Sequence, residues 1–550
     1  MNWINLCFAA FICLNISLLQ AQTTTGKYVL PTPQQVLWQE QEQIMFLCLD
    51  PCTWQGGELD NHSTPLSRIK PTQLDVNQWI DAAEAFDAKE ILFVAKHTGG
   101  FCWWQTETSD YSIKNTPYKG GKGDVLDELA KACFARGIKL GVYIYPGDDT
   151  WGAYVGGGGK TTDPAKQEGY NKVLRRQWEE VTSRYGKIIN EIWFDGSVIV
   201  PLEDIIRKNC PNAIVFQGPF ANIRWVGNEQ GICPYPNWYT VKSEDALSGV
   251  ATADHSDPDG DIYMPVEVNT VPRYHYWFWS PTNHSSLRSL DEMMDIYYQS
   301  VGRGGLFLLN AAPDTTGLIP EMDMELYRNF GKEIKKRFGQ SVAETSGKGS
   351  LVELQLESPA LIDHAVIQED IEMGQRVRRY IIEGLQGGKW LTLAAGFSVG
   401  QKRIEHFAPT RVEAVRLRVT EASYPPVIKR LAVFNTGIKP DRILASGEKL
   451  DRKVGEIKLG ADRDFEYDLS PFIPFAEQYV LSVKAGQDAV KFEKISLWLQ
   501  GVETPGFATV LPDGTVRINI TAAPSMKAGS IVIKGKLVVK PETDCNLYVK

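Results

Sequence analysis

Short runs of consecutive apolar residues recur along the first 335 residues, and amphipathic stretches separate most of them. Runs that are apolar at every position, rather than at every second one, are typical of strands buried on both faces of a parallel sheet. Strands that alternate with helices over about 300 residues predict a (β/α)₈-type barrel, here over residues 26–340. Seven strands can be identified: 44–50, 90–97, 138–146, 190–196, 213–218, 261–269 and 305–313.

Three of the intervening stretches have clear helical periodicity, at 75–88, 125–137 and 168–186. Two of them end in glycine, which favours Gly137 and Gly186 as helix C-caps. An eighth strand is not evident, so a doubly wound open sheet is the alternative architecture. No GxGxxG or Walker pattern follows the first strand, which makes that alternative less favoured.

The pattern changes to alternating apolar and polar residues after Ala343. Alternation with Gly and Pro between the segments predicts a β-sandwich over 345–436, of the galactose-binding-like kind, and a second all-β module over 437–550. Both modules fit two roles, carbohydrate binding or support of the barrel.

Charge and composition narrow the classes of function. The formal net charge is −9 and no cluster of Lys and Arg stands out, which argues against a nucleic-acid partner. The nine cysteines are scattered without zinc-ligand spacing, so neither a structural metal nor a cofactor is expected. Residues 1–21 resemble a signal peptide, with a buried N-terminal helix as the alternative, and predict export to a periplasm or the cell exterior without membrane insertion.

Acidic residues and one histidine follow the predicted strands, where barrel enzymes carry their reactive groups. No HExxH or GxSxG motif accompanies them, which argues against a zinc peptidase and a serine hydrolase. A ring of carboxylates with many aromatic residues favours glycoside hydrolysis, in which two carboxyl groups flank the scissile bond. These strand-end residues are Asp50, His97, Asp148, Asp195, Glu229 and Glu267.

The part of the chain between about residues 30 and 435 contains the blocks KHTGGFCWWQTETSDYS, GVYIYPGDDTW, NEIWFDG, RWVGNEQG, YMPVEVN and LFLLNAAPDTTG. These blocks resemble the α-L-fucosidases of glycoside hydrolase family 29, and two others are similar to its α-1,3/1,4 branch. The resemblance implies a retaining exo-α-L-fucosidase acting on an oligosaccharide or glycoconjugate. It also implies that Asp195, in WFDG, is the nucleophile. For the acid/base it favours Glu229 and leaves Glu267 as the second choice.

The same resemblance implies a set of substrate-binding residues. His97 matches the first histidine of the family's KHHDGF block and is expected to bind sugar hydroxyls, while Trp193 is expected at the sugar subsite. Arg224 and Trp225 are expected to shape the loop that carries Glu229. Each could instead be a structural residue. Weaker candidates are Tyr143, Lys96 and Trp104.

Two positions depart from the family pattern. Cys48 replaces a histidine that holds the axial O4 of fucose, and Thr98 replaces the second histidine of KHHDGF. Thiol and hydroxyl groups bind less decisively than imidazole, which predicts relaxed or altered sugar specificity. The alternatives are therefore the same chemistry on another α-L-sugar, L-galactose or L-glucose, or a catalytically inactive glycan-binding protein.

Overall fold

The structure is a computed structural model that describes residues 28–438, except 247–255, 274–275 and 284–285, together with shorter pieces between residues 452 and 549. The signal peptide predicted at residues 1–21 lies outside the described residues. Among the helices of the described part, none is both long enough and apolar enough to span a bilayer.

The N-terminal part of the chain folds around a parallel eight-stranded sheet that is closed almost completely into a barrel. Neighbouring strands follow the order β5-β4-β3-β2-β1-β10-β9-β6, and a parallel bridge between Phe216 and Ile223 joins its two ends. β7 and β8 form a separate two-stranded ribbon. The strands are β1 (Gln43–Leu47), β2 (Glu90–Lys96), β3 (Lys139–Ile144), β4 (Ile189–Trp193), β5 (Ile214–Phe216), β6 (Arg224–Trp225), β7 (Thr240–Val241), β8 (Ile262–Tyr263), β9 (Val266–Thr270) and β10 (Leu306–Ala311).

Helices cover the outside of the barrel and explain why its strands are apolar on both faces. Asp75 and Asp124 cap the second and third helices by accepting backbone N–H groups, and Gly137 ends the third in the left-handed conformation, as predicted. The helices are α1 (Pro33–Gln39), α2 (Val76–Ala85), α3 (Val125–Arg136), α4 (Gln167–Tyr185), α5 (Glu203–Asn209), α6 (Leu290–Gln299) and α7 (Glu321–Phe338).

The strand that the sequence does not reveal is β6. It has only two residues, Arg224 and Trp225, and pairs with Val266 and Glu267 of β9. A charged residue in a two-residue strand gives no apolar run, so the hydrophobic pattern cannot identify it. The other seven predicted strands all form, and the doubly wound alternative is wrong.

The next segment is all-β, as predicted, and forms a six-stranded antiparallel sheet in the order β11-β16-β12-β15-β13-β14. Two of its strands are 19 and 20 residues long, and the register shifts between Gln355 and Ala360 of the first of them. The strands are β11 (Ala343–Lys348), β12 (Leu351–Glu369), β13 (Val377–Gln386), β14 (Lys389–Phe397), β15 (Arg403–Ala422) and β16 (Val427–Phe434).

Hydrogen bonds connect this β domain to the barrel. The hydroxyl of Tyr235 donates to the carbonyl of Phe397 (2.8 Å), and the backbone N–H of Gln401 donates to the hydroxyl of Tyr239 (2.8 Å). Since Tyr235 and Tyr239 follow the loop that carries Glu229, the domain supports that side of the barrel.

The last segment is also all-β in the described pieces, as predicted, and has its own apolar core. The nine strands of these described pieces pair antiparallel. They are β17 (Arg452–Ile457), β18 (Asp464–Asp468), β19 (Gln478–Ala485), β20 (Asp488–Leu499), β21 (Val502–Glu503), β22 (Ala508–Val510), β23 (Val516–Asn519), β24 (Ile531–Val538) and β25 (Cys545–Val549).

Candidate active site

A cavity of about 420 Å³ opens at the carboxyl ends of the barrel strands. Seven of the ten predicted site residues line it, and three, Thr98, Arg224 and Glu267, do not. The lining residues are Phe46, Cys48, Glu58, Leu59, Val94, His97, Tyr143, Trp193, Asp195, Phe216, Gln217, Trp225, Glu229, Asn269, Trp277 and Phe278.

Asp195 follows the end of β4 by two residues and is held in the left-handed backbone region, at a φ of 53°. This conformation is uncommon for a residue with a side chain and is found where a site requires it. The side chain of Asp195 is accessible to solvent through the cavity that it lines, although protein atoms surround its carboxyl group on the other sides. Burial raises its pKa, and the hydroxyl of Tyr143, which donates to Oδ2 at 2.9 Å, acts in the opposite direction.

Glu229 lies on the loop after β6 and is the second carboxyl in the cavity. Burial is the main reason why its pKa is raised, and the charge of Asp195 raises it further. The side chain of Trp277 donates a hydrogen bond to Glu229, which partly offsets the increase. Burial thus raises the pKa of both carboxyl groups, while the tyrosine hydroxyl favours the anion of Asp195 and the charge of Asp195 favours the protonated form of Glu229.

Glu58, on the loop after β1, is a third carboxyl of the cavity that the sequence reading missed. Burial raises its pKa to about 7, although it accepts the backbone N–H of Trp277 at 3.0–3.1 Å. The charge of Glu229 also raises this pKa. The available signal was an acidic residue after Gly56 and Gly57 in the first barrel loop, a position equivalent to those used for the other strands.

Two aromatic residues of the cavity, Trp277 and Phe278, were also missed. The ring of Trp277 meets that of Phe46 edge-on (5.5 Å between centroids), and the carbonyl of Trp277 accepts the side-chain amide of Asn310 at 2.7 Å. Phe278 packs on His97 at 4.8 Å. The aromatic run YHYWFWSP that contains them was the signal, but no strand precedes it closely enough to place it.

His97 and Cys48 provide polar atoms on the β1–β2 side of the cavity. Burial lowers the pKa of His97 to about 4, so its imidazole is neutral and has one donor and one acceptor nitrogen. Burial and the nearby carboxylates raise the pKa of Cys48, so its thiol stays protonated. Thr98 is buried behind His97, with its Oγ1 at 3.4 Å from Nδ1 of that residue.

The structure gives Arg224 a supporting position rather than a direct one. Its guanidinium is buried and donates to the carbonyls of Met264 and Trp238 and to Oδ1 of Asn237. It therefore holds together the segments around β6. Its neighbour Trp225 does line the cavity.

Glu267 does not reach the cavity, because it is fully buried and its Oε1 accepts the indole N–H of Trp193 at 3.2 Å. Side chains of a strand alternate between faces, so Glu267 and Asn269 of β9 both point into the barrel, and Asn269 is one layer nearer the cavity. The placement of Glu267 at a strand-end loop is therefore wrong.

Several other residues that the sequence suggested for the site are instead buried inside the fold. Lys96 forms a buried ion pair with Asp148 at 3.2 Å, and the indole of Trp104 donates to Glu180 at 2.9 Å. Asp50 is fully buried and is not part of the cavity lining. In the described part of the chain, no group of three or more His, Cys, Asp or Glu side chains is arranged to hold a metal ion.

The chain is similar to known α-L-fucosidases in both sequence and structure. A family model of α-L-fucosidases matches residues 59–337. The chain is 30% identical over 455 residues to α-L-fucosidase 1 of Arabidopsis thaliana, which covers 74% of this chain and 87% of the plant protein.

Two solved structures have a fold similar to that of this chain. One, from Bacteroides thetaiotaomicron and assigned as an α-L-fucosidase, has a TM-score of 0.71 and 30% identity and covers 75% of this chain and 100% of its own. Another, a glycoside hydrolase family 29 member from an unknown rumen bacterium, has a TM-score of 0.69 and 25% identity and covers 93% of this chain and 96% of its own.

Proposed function

Because the chain belongs to the α-L-fucosidase family and is a glycoside hydrolase, we propose that it is a retaining exo-α-L-fucosidase that removes terminal α-linked L-fucose from glycans. The observation that carries this proposal is that Asp195 and Glu229 open into one cavity, where the hydroxyl of Tyr143 favours the anion of Asp195, while burial and the charge of Asp195 favour the protonated form of Glu229. Double displacement requires this arrangement, one ionised carboxylate and one carboxylic acid at the same glycosidic bond.

In the first proposed step, Oδ1 or Oδ2 of Asp195 attacks the anomeric carbon of the fucosyl residue. The bond from that carbon to the leaving oxygen breaks, and Glu229 transfers its proton to the oxygen, so that the alcohol departs neutral. Tyr143 stabilises Asp195 as the anion before the attack. The product is a fucosyl ester on Asp195.

In the second proposed step, Glu229 is ionised and removes a proton from a water molecule as that water attacks the same carbon. The ester bond breaks, Asp195 recovers its negative charge, and Glu229 recovers its proton. Two inversions at one carbon give L-fucose with the original anomeric configuration. Trp193, Trp225, Trp277 and Phe278 provide apolar faces for the sugar ring.

A second candidate is the same chemistry on L-galactose or L-glucose. Two observations favour it. Cys48 lines the cavity with a protonated thiol, and Thr98 is buried behind His97 and does not line the cavity. Neither residue offers the imidazole that the family pattern has at its position. A panel of aryl α-L-glycosides decides between the sugars. The fucosidase proposal expects the highest kcat/KM for the L-fucoside, and a higher value for another L-sugar would replace it.

The nucleophile and the acid/base are tested with alanine variants and azide. Asp195→Ala should lose turnover of an aryl α-L-fucoside, and azide should restore it by forming a fucosyl azide of inverted configuration. Glu229→Ala should form the azide of retained configuration instead, and Glu267→Ala should form neither. An inactive wild type that still binds L-fucose would favour the glycan-binding alternative.

We also propose that the protein is exported, to a periplasm or outside the cell, on the basis of the signal-like pattern at residues 1–21. Detection of a mature N-terminus near residue 22 in a cell fractionation experiment supports export. An intact N-terminus in the cytoplasmic fraction contradicts it.

A further inference from the structure

Two buried glutamates face each other inside the barrel, beneath the cavity. Glu191 of β4 and Glu267 of β9 are both fully buried, and they are hydrogen-bonded to each other. Each also accepts an indole N–H, from Trp38 to Oε2 of Glu191 at 2.7 Å and from Trp193 to Oε1 of Glu267 at 3.2 Å. No step of the proposed reaction uses either group.

The contact between these two carboxyl groups requires a proton. An ionised carboxylate only accepts hydrogen bonds, so two ionised groups cannot bond to each other. Within the described part of the chain, no N–H group or hydroxyl donates to Oε1 of Glu191 or Oε2 of Glu267, so these two oxygens are the ones left for a shared proton. Burial raises the pKa of both groups, that of Glu267 to about 8, which agrees with a proton held between them at neutral pH.

The pair supports one wall of the cavity. The ring of Trp193 lines the cavity and stacks on Phe216 with 3.9 Å between centroids and 9° between planes. Stacking fixes the plane of the indole but permits it to slide, and the hydrogen bond from its N–H to Glu267 fixes the remaining direction. Glu267 in turn is held by Glu191, which is anchored by Trp38.

We propose that Glu191 and Glu267 share one proton and that this pair makes Glu267 a positioning residue, which sets the place of Trp193 in the sugar cavity. Glu267 acts through Trp193 and does not touch the substrate. The activity arm of the test rests on the proposed fucosidase function, and a second arm does not depend on activity.

Replacement by glutamine separates a positioning role from a catalytic one. In Glu267→Gln the amide oxygen can accept the indole N–H and the NH₂ group can donate to an ionised Glu191. The variant therefore keeps both hydrogen bonds and the single negative charge of the pair. We expect kcat/KM for an aryl α-L-fucoside within about threefold of wild type, because both bonds remain.

Glu267→Leu keeps the size but leaves the indole N–H and Glu191 without their partner. Misplacement of a cavity wall by about 1 Å can cost roughly 10²-fold in rate, and we expect a loss of that order. Recovery by glutamine but not by leucine supports the proposal. Equal, large losses in both variants would assign Glu267 an acid/base role and overturn it, and so would normal activity in a folded Glu267→Leu.

Glu180 offers a matched control. It is a buried glutamate that accepts the indole N–H of Trp104 at 2.9 Å, and neither residue lines the cavity. Glu180→Leu should reduce the urea midpoint of unfolding as Glu267→Leu does, with kcat/KM unchanged. An equal loss of activity in this control would show that any damage to the barrel interior is sufficient, and would contradict a specific role of Glu267.

Proton counting tests the shared proton directly. The titratable group that also faces the pair is Glu90 of β2, which lies near Lys139. The pKa of Glu267 is raised in the folded state, so between about pH 5 and 8 the folded wild type holds a proton that the unfolded chain has already lost. The bound proton stabilises the folded state; this contribution is complete at low pH and disappears as pH rises through about 8.

Glu267→Gln keeps Glu191 ionised in both states and should lose this proton. Urea unfolding at a series of pH values should therefore show that wild type releases one more proton per molecule than Glu267→Gln. Equal proton release would overturn the shared proton even if the enzyme is active. If proton release differs by one but no α-L-glycoside is turned over, the proton pair stands and the proposed function fails.

Discussion

The hydrogen bond between Tyr143 and Asp195 favours the ionised form of the proposed nucleophile and opposes the effect of burial. Burial raises the pKa of Asp195, and the 2.9 Å bond from the tyrosine hydroxyl lowers it. Tyr143→Phe removes only that hydroxyl, since the ring remains packed near Trp193 and Phe46. We expect the pKa of Asp195 to rise in the variant, so the acid limb of the pH profile moves to higher pH.

The magnitude follows from the charge on the acceptor. A hydrogen bond to a charged group contributes about 1.5–3 kcal/mol. At a pH where protonated Asp195 predominates, its loss reduces the ionised fraction by roughly 10- to 100-fold, because every 1.36 kcal/mol is a factor of ten. Below the acid limb, kcat/KM of Tyr143→Phe relative to its own plateau should be lower than that of wild type by this factor.

The assay is kcat/KM for an aryl α-L-fucoside across the acid range, with Tyr145→Phe as the control. Tyr145 is adjacent and stacked on Tyr143 at 6.3 Å, but its hydroxyl is hydrogen-bonded to the backbone N–H of Gly156 and not to Asp195. The control should keep the wild-type acid limb. If Tyr143→Phe also keeps it, the tyrosine does not stabilise the ionised nucleophile and the electrostatic reasoning is refuted.

Two further predictions concern the acid/base and the stability of the barrel. Glu229→Gln should lower kcat/KM by about 10²–10⁴-fold for a glycoside whose alcohol needs protonation, and much less for α-L-fucosyl fluoride, which needs no general acid; equal losses on both substrates would contradict the acid role. Lys96→Met should destabilise the fold by about 3–5 kcal/mol in urea unfolding, because Asp148 stays buried without its partner, while Lys131→Met, at an exposed pair with Asp127, should change little. An unchanged urea midpoint in Lys96→Met would show that the buried pair does not stabilise the barrel.

Much of the barrel could be predicted because its strands are buried on both faces. Every residue of β1, β2 and β10 is buried, and each of these strands contains a run of at least four consecutive apolar residues. β6 could not be predicted, because the buried guanidinium of its Arg224 donates hydrogen bonds to carbonyl groups that are distant in the sequence. Pairing of that kind leaves no trace in the local pattern.

The candidate site was predicted in part for the same reason. Asp195 lies two residues after the end of an apolar strand, so its position could be predicted. Glu58 and Trp277, in contrast, are 219 residues apart in the chain and are brought together by two loops. Glu267 was misplaced because β9 continues past it to Thr270, which puts its side chain one layer below the cavity. The identity of the loops as cavity walls depends on tertiary contacts, which no local pattern encodes.

The most direct test of the proposed mechanism is to trap the intermediate. Incubation with 2-deoxy-2-fluoro-α-L-fucosyl fluoride, followed by trypsin digestion and tandem mass spectrometry, should place one fluorofucosyl group on the peptide 188–207, at Asp195 rather than at Glu191, Glu203 or Asp204. A label on any other residue, or rapid turnover of aryl α-L-fucosides by Asp195→Ala without azide, would contradict the assignment of Asp195 as the nucleophile.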